Sequence, residues 1–68
     1  MIRTDKIIGM LAEKGITQAE MAEKLGISPK TFYSRMKKGV FTSTEMDIMI
    51  DVLRIDDPRP IFFANKVS

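Results

Sequence analysis

The segment LGISPKTF, residues 25–32, ends one helical pattern and begins another within three residues. Gly26 suits a helix C-terminus, because a residue without a Cβ adopts the left-handed conformation there at little cost. Ser28 is a favourable N-cap, and Pro29 at the first helical position loses nothing by lacking an N–H. Two helices joined so closely must meet at a steep angle. The segment therefore predicts a helix, a tight turn and a second helix.

The residues before this turn predict two helices. The first is expected over residues 5–14 and ends at Gly15. Its inward stripe is expected to consist of Ile7, Ile8 and Leu11. The second begins at the capping box TQAE, residues 17–20, and ends at Gly26. The apolar residues that it turns inward are Met21, Ala22 and Leu25.

The residues after the turn predict two more helices and a short final turn. The third helix is expected over residues 29–37, and Gly39 closes it. The fourth starts near Ser43, where STEM offers a cap with an acid in the first turn. Its core stripe is expected to be Met46, Met49, Ile50 and Leu53. A last short turn is expected through the IFF segment, and residues 64–68 are expected to fray.

The composition argues against catalysis. The 68 residues include no Cys and no His, which removes thiol nucleophiles, imidazole bases and the usual zinc ligands. The acidic residues are scattered and lack calcium-loop spacing, and no glycine-rich phosphate loop is present. No apolar run or leader-like N-terminus suggests a membrane or secretion. We expect one cytoplasmic domain over residues 1–63, neither an enzyme nor a membrane protein, with no metal, cofactor or small-molecule ligand.

Charge is distributed unevenly along the chain. Between Lys24 and Thr44 there are five basic residues and no acidic ones, whereas the rest of the chain holds six basic and nine acidic residues. A basic segment can attract a polyanion, although it could also be an ordinary solvated face. A B-DNA major groove admits one α-helix, which a second helix must hold in place. The third helix is therefore a candidate reading helix for DNA.

The stretch TQAEMAEKLGISPKTF resembles the lambda-repressor/Cro-like helix-turn-helix family. The likeness lies in the Thr17-Gln18 opening, the small Ala22, the turn over residues 25–28 and the anchor Phe32. The segment GVFTSTEMDIMIDVL is also similar to the residues just after the recognition helix in small phage-type members. Met36 departs from the family pattern, because a polar core residue often stands at that position.

This resemblance covers about residues 3–56 and implies a compact all-α domain of four or five helices, with the helix-turn-helix at about residues 17–37. It implies a sequence-specific double-stranded DNA-binding transcriptional regulator, a Cro-like repressor of a phage or mobile element in a prokaryotic or phage-infected cell. The alternative is a protein-interaction module that keeps the fold and binds another regulator. A protein binder would have no need of the acid-free stretch from Lys24 to Thr44.

Helix geometry and the resemblance together nominate DNA contacts. With Phe32 and Met36 inward, the opposite side of the third helix carries Lys30, Ser34 and Lys37. The resemblance assigns base reading to the helix opening and to the residue two past the anchor, and Tyr33 flanks this side. The base-contacting candidates are Pro29, Lys30, Tyr33 and Ser34. The phosphate-contacting candidates are Gln18, Thr31, Lys37, Lys38 and Thr42.

Four of these nominations have a simpler alternative. Lys30 and Lys37 could be merely solvated, Tyr33 could pack at the core edge, and Gln18 could only cap its helix.

A second apolar stripe on the fourth helix predicts a partner surface. Ile48, Val52 and Ile55 have i, i+4, i+7 spacing on the side away from the core stripe. Either Ile61, Phe62 and Phe63 fold back over this stripe, or a two-fold related copy covers it, as the family resemblance suggests. We expect a weak homodimer on a palindromic operator, with the stripe and the IFF segment both in the interface.

Overall fold

Five helices follow one another with short connections. The computed structural model describes residues 2–63. The helices are α1 (Thr4–Lys14), α2 (Gln18–Leu25), α3 (Pro29–Lys38), α4 (Ser43–Leu53) and α5 (Arg59–Phe62). Within residues 2–63 there is no strand, so the predicted all-α class is confirmed. The predicted tail at residues 64–68 lies outside the described residues.

Local hydrogen bonds fix the helix ends that the sequence predicted, with one correction. The capping box at α2 forms as expected, since the Glu20 N–H donates to Thr17 Oγ1 at 3.0 Å and the Thr17 N–H donates to Glu20 Oε1 at 2.8 Å. A second capping box starts α4, but its N-cap is Thr42 and not Ser43. Thr42 takes this role because its spacing to Glu45 is the T-x-x-E spacing of a capping box.

The helices enclose one apolar core. α2 packs against α3 and α4, and α1 packs against α4 and α5. Phe32 is fully buried and its ring centroid lies 5.8 Å from that of Phe41. The buried apolar residues are Ile2, Ile7, Leu11, Met21, Ala22, Leu25, Phe32, Met36, Phe41, Met49, Leu53, Ile61 and Phe62. The inward faces predicted for α2 and α3 are therefore confirmed.

The inward face of α1 differs from the prediction at one residue. Ile8 is 47% exposed, whereas Met10 is half-buried against the core. The two residues flank the Ile7–Leu11 line at similar angles. Met10 lines a groove with Leu53 and Ile61, so α4 and α5 cover its flank and leave that of Ile8 open. The difference comes from the position of α5.

The fourth helix is also rotated relative to the prediction. Met49 and Leu53 are buried as expected, and Glu45 is buried beside them. Met46 and Ile50, for which the sequence predicts an inward position, are half-buried on one flank of this line. Ile48 and Val52 are half-buried on the other flank. Because Glu45, Met49 and Leu53 recur every four residues, the inward line runs through them.

Candidate nucleic-acid interface

The turn between α2 and α3 has the geometry that its sequence predicted. Gly26 has a φ of +75°, and its N–H donates to the carbonyls of Ala22 and Glu23. The Ile27 N–H donates to the Ala22 carbonyl at 3.0 Å, so the free carbonyls at the end of α2 are satisfied within the turn. Ser28 Oγ accepts from the Thr31 N–H at 3.1 Å and caps α3. These bonds set the angle at which α3 leaves α2.

The third helix buries one side and presents the other to solvent. Phe32 and Met36 enter the core and anchor the helix. The predicted base-contacting residues Pro29, Lys30, Tyr33 and Ser34 are all exposed, and so are Lys37 and Lys38. This placement makes them accessible to DNA, and their contacts remain predictions.

Tyr33 packs at the edge of the core and is also accessible to DNA. Its ring meets that of Phe32 edge-on, with centroids 6.5 Å apart, while the residue is 53% exposed. The ring therefore packs at the core edge, and about half of the residue stays accessible to solvent. Such a residue loses little rotational freedom when it binds a partner.

A shallow groove of about 490 Å³ runs along α3 toward the α3–α4 turn. It is lined by Lys30, Thr31, Ser34, Arg35, Lys38 and Val40. Four of these were nominated as DNA contacts from the sequence. Val40 was not, although it is 60% exposed. An aliphatic residue two positions after the end of a basic helix was the signal that could have identified it.

The remaining phosphate candidates already take part in helix caps or lie beside them. Thr42 Oγ1 accepts from the Glu45 N–H at 3.1 Å, and Thr31 Oγ1 accepts from Ser28 Oγ at 2.9 Å. Each hydroxyl retains its own proton, which can be donated to a phosphate. Gln18 is half-buried at the first position of α2. The suggestion that it only caps this helix is wrong, because Thr17 provides the cap.

The lysines on α3 have no acidic partner in the part of the chain that the structure describes. The salt bridges within residues 2–63 are Arg3–Asp5 at 2.8 Å, Arg35–Glu45 at 3.1 Å and Arg59–Asp57 at 3.0 Å. None of them includes a lysine. The positive charges of Lys30, Lys37 and Lys38 are therefore free to act on a polyanion.

Several carboxylates elsewhere are held by local donors. A hydrogen bond from Arg3 lowers the pKa of Asp5, and one from Arg59 lowers the pKa of Asp57. The Thr17 N–H, which donates to Glu20 in the capping box, lowers the pKa of that carboxyl. In each case the hydrogen bond outweighs the opposing effect of desolvation, so the lowered pKa values reflect local pairing and not burial.

The sequence did not predict the Arg35–Glu45 pair. Glu45 is almost buried and Arg35 is half-buried, so the pair links α3 to α4 inside the molecule. The two residues are separated by a turn whose path the sequence did not predict either. Only the cap spacing from Thr42 to Glu45 was readable, and it indicates the position of Glu45 but not its partner.

The residues of the predicted partner surface differ in how much of their surface is accessible. Ile48, Val52 and Ile55 are half-buried and Phe63 is 37% exposed. Ile61 and Phe62 are each only 3% exposed. The Arg3 N–H donates to the Ile61 carbonyl at 2.6 Å, which holds α5 against α1. Ile61 and Phe62 therefore have little surface left for a second chain.

The tight turn, the buried anchor and the basic exposed face of α3 define a helix-turn-helix regulator that binds DNA. The chain belongs to the bacterial regulatory protein, Fis family, whose helix-turn-helix model matches residues 5–39. The match spans α1 to the glycine after α3. Comparison with curated proteins and with solved structures finds no significant match.

This membership refines the resemblance seen in the sequence. It confirms a helix-turn-helix DNA-binding regulator and supports a binding role over a catalytic one. It does not support the Cro-like affiliation in particular. Within residues 2–63, no helix has the length and apolar character to cross a membrane.

Proposed function

We propose that this protein is a sequence-specific repressor of the Cro-like type, from a phage or mobile element, that acts in the cytoplasm of a bacterial cell. The observation that carries the proposal is the exposed face of α3, which presents Lys30, Lys37 and Lys38 without salt-bridge partners within residues 2–63. Lys30 and Lys38 also line the groove on this helix. The sequence likeness after α3 supports the phage-type assignment. Occupation of a promoter by the bound domain would be sufficient for repression.

Lys30 and Ser34 are the base-reading residues in this proposal. Both are exposed and line the same groove, one helical turn apart. Lys30 can donate to O6 and N7 of a guanine, and the Ser34 hydroxyl can serve several bases. Pro29 has no donor and offers an apolar contact to a thymine methyl. Tyr33 contributes from the edge of this surface.

The phosphate contacts surround these residues in the proposal. Lys37 and Lys38 lie in the last turn of α3, and Thr31 lies in its first turn. Thr42 and Gln18 stand at the starts of α4 and α2, where backbone N–H groups favour an anion. Contacts from three helices would fix the register of α3 on the duplex.

Selection of bound sequences from random duplex DNA tests the proposal. We expect an enriched palindrome, on which Lys30→Ala costs about 1–3 kcal/mol of binding free energy and relaxes the preference at one base pair. Non-specific affinity should change much less. Failure to enrich any sequence, together with unchanged binding by the variant at low salt, would favour the protein-interaction module.

We also propose that two copies bind the palindrome as a weak homodimer. The half-buried stripe of Ile48, Val52 and Ile55 supports this, because apolar side chains at a helix flank gain from being covered. Two-fold symmetry would place two reading helices about 34 Å apart, which is one turn of DNA. The exposed Phe63 adjoins this interface in the proposal.

Ile48→Asp tests the homodimer by sedimentation and circular dichroism. We expect a folded monomer that has lost most of its affinity for the palindrome. Ile8→Asp is a matched control, because it places the same charge at an exposed isoleucine outside the stripe. If Ile48→Asp keeps native mass and affinity, the stripe is not the interface.

A further inference from the structure

One buried carboxylate joins the end of α3 to the start of α4. Arg35 Nη1 lies 3.1 Å from Glu45 Oε1, and the two side chains are 31% and 8% exposed. The same Oε1 atom accepts from the Thr42 N–H at 2.9 Å. Glu45 therefore completes the cap of its own helix and holds a cation from the preceding one.

Arg35 also holds the intervening turn through its backbone. Its carbonyl accepts from the N–H groups of Gly39, at 2.8 Å, and Val40, at 3.2 Å. The turn over residues 39–42 is therefore fixed at both ends by groups that contact Arg35. Val40 in this turn and Lys38 just before it both line the groove on α3.

The pair lacks the geometry of a strongly stabilising one. The Nε atom of Arg35 is buried and has no hydrogen-bond partner within residues 2–63, so the guanidinium does not form the two-pronged contact it is capable of. Buried ion pairs of this kind add little net stability, and their best-attested contribution is to conformational specificity. Arg35 itself lines the groove, so its guanidinium would reach a ligand there if Glu45 did not hold it.

We propose that Arg35, held by Glu45, is a positioning residue for DNA recognition. The ion pair keeps the guanidinium away from phosphates and fixes the turn at residues 39–42 relative to the base-reading face of α3. Lys38 and Val40 then contact the duplex at a fixed position relative to Lys30 and Ser34. This inference rests on the proposed DNA-reading function and assigns part of its specificity to a pair that does not itself touch a base.

Glu45→Gln tests the role of the pair. Glutamine can still occupy the third position of a capping box, so the substitution removes the charge and leaves the cap of α4. We expect the ratio of non-specific to specific Kd to fall by at least about tenfold. The salt slope of non-specific binding should steepen by about 0.9 for each bound chain, because the released Arg35 neutralises one more phosphate.

Two further variants separate positioning from stability. Thr17→Ala removes the side-chain cap of α2 and leaves the ion pair, so the Kd ratio should stay within about twofold of native. Arg35→Met combined with Glu45→Gln leaves no uncompensated charge, so it replaces Glu45→Gln as the test if that single variant does not fold. In the double variant the ratio of non-specific to specific Kd should fall as it does in Glu45→Gln. The salt slope of its non-specific binding should stay at the native value.

The outcomes are distinguishable. If the native chain prefers one sequence and either Glu45→Gln or the double variant keeps the native Kd ratio, the inference is overturned and the proposed function stands. An equal loss of the ratio in Thr17→Ala also overturns it, since helix stability alone would then explain the effect. If the native chain binds no duplex DNA at low salt, the proposed function fails and this inference with it.

Discussion

Lys38→Ala should lower the salt dependence of DNA binding without changing sequence preference. Lys38 is exposed in the last turn of α3, lines the groove and has no salt-bridge partner within residues 2–63. Each phosphate contact that is lost should make the slope of log K against log salt shallower by about 0.9. The slope should therefore change by about 0.9 if one chain binds the site and about 1.8 if two chains bind.

These slopes translate into a measurable change in affinity. Between 50 and 200 mM salt, one phosphate contact accounts for about a 3.5-fold loss of affinity, and a pair of contacts for about 12-fold. Fluorescence anisotropy on a labelled duplex at four or five salt concentrations resolves such differences. The same titration on an unrelated duplex should give the same change, because a phosphate contact does not depend on sequence.

Lys14→Ala is the matched control for this measurement. Lys14 is an exposed lysine in the last turn of α1, as Lys38 is in α3, so both variants lose a similar interaction with a helix C-terminus. Lys14 lies on the groove between α1, α4 and α5, away from the α3 groove. An unchanged slope in Lys38→Ala, or an equal change in Lys14→Ala, would refute the assignment of DNA binding to the α3 face.

Two further predictions concern stability. Gly26→Ala should destabilise the fold by about 1–2 kcal/mol in urea unfolding, because an added Cβ is strained at its positive φ. Gly9 has no positive φ and nothing lies within 4 Å of an added Cβ, so Gly9→Ala should stabilise the fold by about 0.5–1 kcal/mol. A change of the same sign in both variants would contradict the strain argument. The lowered pKa of Glu20 contributes stability that is fully present above its ordinary value of 4.5 and is lost as pH falls through the lower folded value. The difference in unfolding free energy between native protein and Glu20→Gln should therefore shrink toward acid pH, and a constant difference would contradict the cap's ionic character.

Local signals account for most of what the sequence predicted. The caps at Thr17 and Ser28 and the stops at Gly15, Gly26 and Gly39 depend on residues within one turn of each other, so their spacing alone specifies them. The error at the start of α4 is of the same kind, because Thr42 and Ser43 are both acceptable caps. Only the spacing to Glu45 distinguishes them.

Contacts between distant elements account for the features that the sequence could not predict. The rotation of α1 toward Met10 depends on where α5 docks, and a four-residue helix has no periodicity to indicate this. The Arg35–Glu45 pair likewise depends on the path of a turn between two helices. The candidate DNA contacts were accessible to sequence reasoning because one helix carries most of them.

The free charge on α3 follows from where the acidic residues lie. A lysine on a helix is most easily neutralised by an acid three or four residues away, and α3 contains no acid. Acids on other elements are held by their own local donors, as Asp5 is by Arg3 and Asp57 is by Arg59. Glu45 reaches α3 but contacts Arg35, the basic residue of α3 nearest the core. Within residues 2–63 no carboxylate forms a salt bridge with a lysine of α3, so this face is basic even in a chain whose net charge is only +2.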